Sequence, residues 1–240
     1  MMLTRSDFDY LEDKKREIVN CCTLCKGDGR ECACQSAYSF EIRMAQSRIP
    51  VKYRSFTISK ISMPDVKEAR DTVVDYIENL DEKRKQGTGL FLWSEAKGTA
   101  KSSFASIILK HAIEKGYSCY FTDLNECLEM ITGSWFDDVK KDEMKKRLLE
   151  SDFVVIDDVG GKEVRTKSNS EIILTSFTTL FKARCDSLLP TIMTSNLDPK
   201  EDITRAYGER LYSMICEHLQ IVQCRGLDFR QTVLAGKINE

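Results

Sequence analysis

The segment Ser94-Glu95-Ala96-Lys97-Gly98-Thr99-Ala100-Lys101-Ser102 sets a lysine and a hydroxyl directly after a turn of small residues. Polyphosphate chemistry needs that combination. Backbone N–H groups from Gly98 to Ser103 can cradle phosphates, Lys101 can reach the β- and γ-phosphates, and the Ser102 hydroxyl can hold Mg²⁺. Nucleotide contacts are therefore expected at Gly98, Thr99, Ala100, Lys101, Ser102 and Ser103. The pattern departs from G-x-x-x-x-G-K-[ST] at two places, with Glu95 at the first glycine and Ala100 at the second. A carboxylate at 95 must point away from a polyphosphate. By itself the segment also reads as a plain strand-to-helix turn.

A second constellation lies one strand–helix unit further on. Phe153-Val154-Val155-Ile156 is an apolar strand that ends in Asp157 and Asp158. Asp157 at the strand tip suits a magnesium ligand, acting through water. Asp158 suits a group that orients an attacking water and accepts its proton. The alternative is an acidic cap after a buried strand. Thr191–Asn196 (TIMTSN) is another apolar strand with a polar tip, and Asn196 there can reach between the carboxylates and a terminal phosphate. Two arginines close the set. Arg210 in Gly208-Glu209-Arg210 suits a finger inserted into a neighbouring subunit's site, and Arg230 in Gly226–Arg230 (GLDFR) suits a second nucleotide sensor. Either arginine alone is more often a surface ion-pair partner.

A third constellation is metal-like. Cys22-Thr23-Leu24-Cys25 and Cys32-Ala33-Cys34 supply four thiolates, the first pair with the C-x₂-C spacing of a zinc knuckle, and Gly27 and Gly29 give the turn between them. Four thiolates match tetrahedral Zn²⁺, and a module this small lacks a core of its own. Cys21 is a possible substitute for Cys22. An iron–sulfur cluster takes the same four ligands, and the same cysteines also suit a redox switch or free thiols. The remaining cysteines (119, 127, 185, 216, 224) fall in segments with strand or helix character and read as small buried apolar side chains.

The elements that must position these groups are legible as an alternation. Val66, Ala69, Val73, Val74, Tyr76, Ile77 and Leu80 recur at helical spacing up to Gly87. Strands are expected at 89–93, 118–122, 153–156, 191–194 and 220–223. Helices are expected at 5–20, 37–46, 102–115, 124–131, 144–150, 171–184 and 205–218. The stretch 49–58 (IPVKYRSFTI) reads as extended, with Pro50 as punctuation. Strands alternating with helices imply βαβ units and a parallel sheet covered on both faces, an α/β P-loop fold. The expected organisation is an N-terminal helical and zinc-binding module over 1–48, a linker over 49–63 and an ATPase domain over 64–240.

Composition sets the outer bounds. The 240 residues are 42% hydrophobic and 31% charged, a balance that belongs to a folded chain and not to a disordered one. No apolar run is long enough for a membrane helix, and the charged N-terminus lacks a secretory h-region, so a cytoplasmic address is expected. The net charge of −2 points to no nucleic-acid binder and excludes none. Between 37 and 60, Arg43, Arg48, Lys52, Arg54 and Lys60 face only Glu41, which suits a solvated linker or a DNA or partner contact.

Taken in order, the cysteine pairs, IPVKYRSF, the phosphate loop, VVIDDVG, TIMTSN, YGERL and GLDFR resemble the DnaC/IstB-like AAA+ helicase loaders, the phage and plasmid members most. The resemblance spans nearly the whole chain. It implies an ATPase that binds ATP and Mg²⁺, assembles with itself and engages a hexameric replicative helicase through its N-terminal module. It further implies delivery of that helicase onto single-stranded DNA. An IstB-type transposition regulator acting on duplex DNA is the alternative within the resemblance, and a nucleotide-binding adapter with little hydrolysis is the alternative outside it. Family members often carry a second arginine, in GERxxxR, where this chain has Met214. With Glu95, that departure bears on hydrolysis more than on binding.

Overall fold

The computed structural model describes residues 3–20, 22–25, 32–61, 64–132, 138–160, 170–226 and 228. Arg230, Cys21, Gly27 and Gly29 lie outside them. The chain opens with α1 (Arg5–Lys15), started by a capping box: the Asp7 amide donates to Thr4 Oγ1 at 3.2 Å and the Thr4 amide to the Asp7 carboxylate at 2.9 Å. A π-helical turn (Arg16–Asn20) leads to the cysteines, and α2 (Ala33–Gln46) follows them. Then come α3 (Val51–Arg54), α4 (Lys67–Glu78), α5 (Leu80–Gln86), β1 (Gly89–Trp93) and α6 (Lys101–Glu114). The remainder is β2 (Cys119–Asp123), α7 (Leu124–Thr132), α8 (Asp138–Glu150), β3 (Phe153–Val159), α9 (Ser170–Asp186), β4 (Thr191–Ser195), α10 (Asp202–Tyr207), α11 (Glu209–His218) and β5 (Leu219–Gln223).

The five strands form one parallel sheet in the order β2-β3-β4-β1-β5. Alternate residues of each strand enter different cores, as the period of two requires. Leu90, Leu92, Phe121, Phe153, Val155 and Ile192 join a core with Met44 of α2, Val73 and Tyr76 of α4 and the apolar residues of α6. Phe91, Tyr120, Val154, Ile156 and Met193 join the other, with α7, Leu148 of α8, Phe177 and Phe181 of α9 and Leu211 of α11. Helices thus cover both faces, as expected of buried parallel strands. Arg184 of α9 is fully buried and donates to Leu148 O, Ser151 O, Pro190 O and Thr191 Oγ1, all within 3.0 Å. Burial pushes its pKa down to about 9. Those four bonds tie α8, α9 and β4 together at the edge of the sheet where β4 begins.

Three expectations are corrected. Residues 49–58 are not extended: Pro50 caps the single turn α3, and a 3₁₀ turn follows at Ile58–Lys60. This stretch packs into the first core, where Ile49 and Ile61 are fully buried. The helix expected over 205–218 is two helices, broken at Gly208 (φ +84°), a backbone conformation that glycine supplies at little cost. Among the scattered cysteines, Cys119, Cys127, Cys185 and Cys224 are buried, but Cys216 is exposed on α11, contrary to its reading as a core residue. The basic stretch is largely spent inside the chain. Arg43 donates to Ile113 O, Arg48 pairs with Glu126 at 2.5 Å, Arg54 pairs with Asp7, and Lys60 donates to Ser55 O.

Candidate nucleotide site and thiolate cluster

The chain between β1 and α6 wraps the mouth of a cavity of about 700 Å³, within the range of ligand pockets. Its lining holds residues 97–103 together with Asp157, Asp158, Thr194 and Asn196. The sheet brings these segments together because β1, β3 and β4 are neighbours and parallel, so their C-terminal ends meet at one edge. The Ser94 amide donates to Ser195 O at 3.1 Å and fixes the start of the loop to β4.

Two left-handed residues shape the loop, Gly98 (φ +72°) and Ala100 (φ +63°), the latter capping α6. Turns of this kind aim successive backbone N–H groups into a concavity suited to an anion. At 98 the glycine is required twice over: a Cβ there would lie 1.7 Å from Asp228 Oδ1. At 100 alanine carries the left-handed conformation that the familiar pattern gives to glycine, at a cost of roughly 1–2 kcal/mol. Lys101 is buried, and its ammonium donates to Ala96 O at 3.0 Å and Thr99 Oγ1 at 3.2 Å. Glu95 is exposed and does not line the cavity. We expect Gly98→Ala to lower stability by about 1–2 kcal/mol and to abolish binding of a fluorescent ATP analogue. Ala100→Gly should bind at least as tightly as the wild type. A Gly98→Ala chain with unchanged melting and affinity would contradict this reading of the loop.

The acidic pair sits on a β-bulge. Ile156 pairs with Met193 and Val159 with Ser195, so Asp157 and Asp158 together oppose Thr194 alone. The extra residue re-aims the strand tip, and Asp158 takes φ +55° there. Thr194 Oγ1 accepts from the Asp158 amide at 3.0 Å and donates to Asp157 Oδ1 at 2.5 Å. Ser102 Oγ donates to the same Asp157 oxygen at 2.7 Å. Asn196 Nδ2 donates to Asp158 Oδ1 at 3.3 Å. Burial raises the pKa of Asp157, with the charge of Asp158 acting in the same direction; the Thr194 and Ser102 hydrogen bonds oppose it. The Asp157 carboxylate and the Ser102 hydroxyl, in contact at the cavity wall, are hard oxygen ligands of the kind that Mg²⁺ takes beside substrate phosphates.

Four wall residues carry no motif in the sequence. Thr194 reads there as part of a buried strand, although its period-two relation to Asn196 puts both on the same side of β4. Lys52, Tyr53 and Phe56 line the cavity from α3 and the residues after it. The two rings meet edge-on, with centroids 6.3 Å apart. Arg210 is exposed at the start of α11, away from the chain's own cavity, and among the described residues it has no hydrogen-bond or ion-pair partner. Arg205 is engaged with Asp202 at 3.2 Å. Met214 is half-buried against the second core, so its position is used for packing.

At the N-terminus, the sulfurs of Cys22, Cys25, Cys32 and Cys34 all lie within 4.8 Å of one another. Cys22 Sγ is 3.6 Å from Cys32 Sγ, and Cys25 Sγ is 3.5 Å from Cys34 Sγ. The backbone N–H groups of Cys25 and Leu24 favour the Cys22 thiolate and pull its pKa down to about 6. Four sulfurs at that spacing, with main-chain donors to one of them, fit a tetrahedral metal ion such as Zn²⁺. We expect about one zinc per chain, as in four-thiolate structural sites. Cys25→Ser or Cys32→Ser should remove it. Elemental analysis of freshly reduced protein that finds no metal would sink the assignment.

The parallel sheet, the strand-to-helix phosphate loop and the acidic strand tip define an AAA+ P-loop fold. Solved structures of DnaC, DnaI and DnaA share this fold. The chain is similar to the DnaC helicase loader (21% identity over 73% of this chain and 100% of that one, TM-score 0.59). It is also similar to DnaI (16% identity, 73% and 94%, TM-score 0.60) and to AMPPCP-bound DnaA from Aquifex aeolicus (18% identity, 80% and 56%, TM-score 0.57). It spans about half the length of the DnaA structure and of a DNA replication initiation factor, of which it covers 54%. No protein-family model and no curated protein sequence matches it.

Proposed function

We propose that this chain is an ATP-binding helicase loader. In this reading it self-associates with ATP, engages a hexameric replicative DNA helicase through the cysteine module, and helps place it on single-stranded DNA at replication initiation in the cytoplasm. The observation that carries the reading is the convergence of Ser102, Thr194 and Asn196 on the Asp157–Asp158 pair at the mouth of the phosphate loop, in a chain that also gathers four thiolates. The first is a nucleotide switch and the second a compact docking module.

ATP supplies the phosphoryl group, and Mg²⁺ offsets its charge. The residues that would hold them are the amides of 98–103 and Lys101 for phosphate, and Ser102 and Asp157 for the ion. Asp158, fixed by Asn196 and by the Thr194 hydroxyl on its amide, orients the water and takes its proton. Arg210, exposed and unpartnered among the described residues, completes the site of a neighbouring subunit, and Arg230 acts as the second sensor. A nucleotide-binding adapter is the second reading, favoured by Met214, whose side chain serves packing where the family often has an arginine. The test is co-purification with a replicative helicase. Retention that needs ATP and an intact cysteine module supports the loader. Retention indifferent to both removes it.

A further inference from the structure

Lys52 has no role in nucleotide binding as described so far, yet it lines the cavity. It comes from α3, before the first strand, and α3 is pinned from two sides. On one side, Lys110 of α6, the helix that begins at Lys101, donates to Arg54 O and Phe56 O, both at 2.7 Å. On the other, the buried Arg54 donates to Ile49 O at 2.8 Å and pairs with Asp7 of α1. Its guanidinium also lies 4.8 Å from the Tyr10 ring centroid, and Tyr10 donates to Glu41 of α2 at 2.6 Å. Lys52 therefore stands between α1 and the phosphate loop: it lines the phosphate-loop cavity and also a second hollow shared with Thr4 and Asp7 at the start of α1. The Lys52 ammonium stands over the ring of Tyr53, 4.7 Å from its centroid, and Tyr53 lines the same cavity.

The charge balance gives that cation a use. The cavity holds Lys52, Lys97 and Lys101 against Asp157 and Asp158. Without Lys52 the two lysines only match the two carboxylates before any polyphosphate enters. The terminal phosphate carries the largest share of a triphosphate's negative charge and gains most from a further cation.

We propose that Lys52 is a second phosphate-binding lysine, contacting the terminal phosphate of the bound triphosphate, and that α1 holds it there through Asp7 and Arg54. The assignment rests on the reading of the cavity as a nucleotide site. It makes the N-terminal helix part of the ATP-sensing apparatus: a partner that moves α1 alters affinity for ATP more than for ADP.

The experiment measures affinities of the intact chain for fluorescent ATP and ADP analogues, with melting temperatures alongside. Lys52→Ala should weaken ATP about tenfold and ADP less than about twofold, the loss of one charge-assisted contact. Lys52→Arg should retain ATP binding. Asp7→Asn, which touches no nucleotide, should reproduce the ATP-selective loss. Lys52→Ala binding ATP as the wild type does, or losing ATP and ADP equally, overturns the contact. Asp7→Asn losing both nucleotides equally, or neither, overturns the positioning by α1. A wild type that binds neither nucleotide removes the nucleotide site and this assignment with it. A wild type that binds, beside a Lys101→Ala chain that does not, keeps the site and isolates Lys52 as the point decided.

Discussion

Lys101→Ala should lower affinity for ATP by about 100-fold or more, since a buried ammonium that meets two phosphates makes contacts of roughly 1.5–3 kcal/mol each. The side chain is buried at the start of α6, and its partners include the loop oxygens of Ser94, Ala96 and Thr99. Those partners belong to the turn and not to either hydrophobic core. The substitution should therefore leave melting within a few degrees of the wild type. Titration of a fluorescent ATP analogue into wild type and variant is the measurement. Equal affinities would remove the phosphate-loop assignment, whatever the fold.

The second large effect is expected at a subunit boundary. A finger arginine stabilises charge on the transferring phosphoryl group and is worth about 10³–10⁵ in rate in P-loop enzymes. Arg210 is exposed, stands outside its own chain's cavity and has no partner among the described residues. Met214, one turn further along α11, is committed to packing. Arg210→Ala should leave ATP binding by the isolated chain nearly unchanged and remove ATP-dependent assembly or turnover. Mixed with Lys101→Ala, it should regain part of the activity, because each chain supplies what the other lacks. The readout is ATPase rate against mixing ratio, on DNA or helicase if the chain alone is slow. An Arg210→Ala chain as active as the wild type would move the finger to Arg205 or Arg230.

The fold is legible in the sequence where hydrophobic pattern and element type coincide. GLFLW and FVVI are short continuous apolar runs next to turn residues, which is how strands buried on both faces read. The stretch 49–58 misleads because Pro50 punctuates a strand or starts a helix equally well. Its tertiary partners decide: Ile49 is buried in the core, and Arg54 is drawn to Asp7, more than forty residues earlier. The break at Gly208 is obscured because Tyr207 and Leu211 keep a helical spacing across it, and both are buried in one core. Of the candidate site, Lys101, Ser102, Asp157, Asp158 and Asn196 carry a sign in the sequence because they sit at strand tips or in one loop. Thr194 is not, because a threonine inside an apolar strand carries no local sign that its hydroxyl will bridge a bulge. Lys52 is not, because its role depends on α3 folding back over a loop far along the chain.

Loading itself tests the central claim most directly. A hexameric replicative helicase is incubated with a covalently closed single-stranded DNA circle, on which threading from an end is impossible, and helicase bound to the circle is measured. With the wild-type chain and MgATP, helicase should accumulate on the circle. With Lys101→Ala, with Cys25→Ser or without nucleotide, it should not. Helicase that reaches the circle equally with and without the chain, or equally with wild type and Lys101→Ala, would contradict the account.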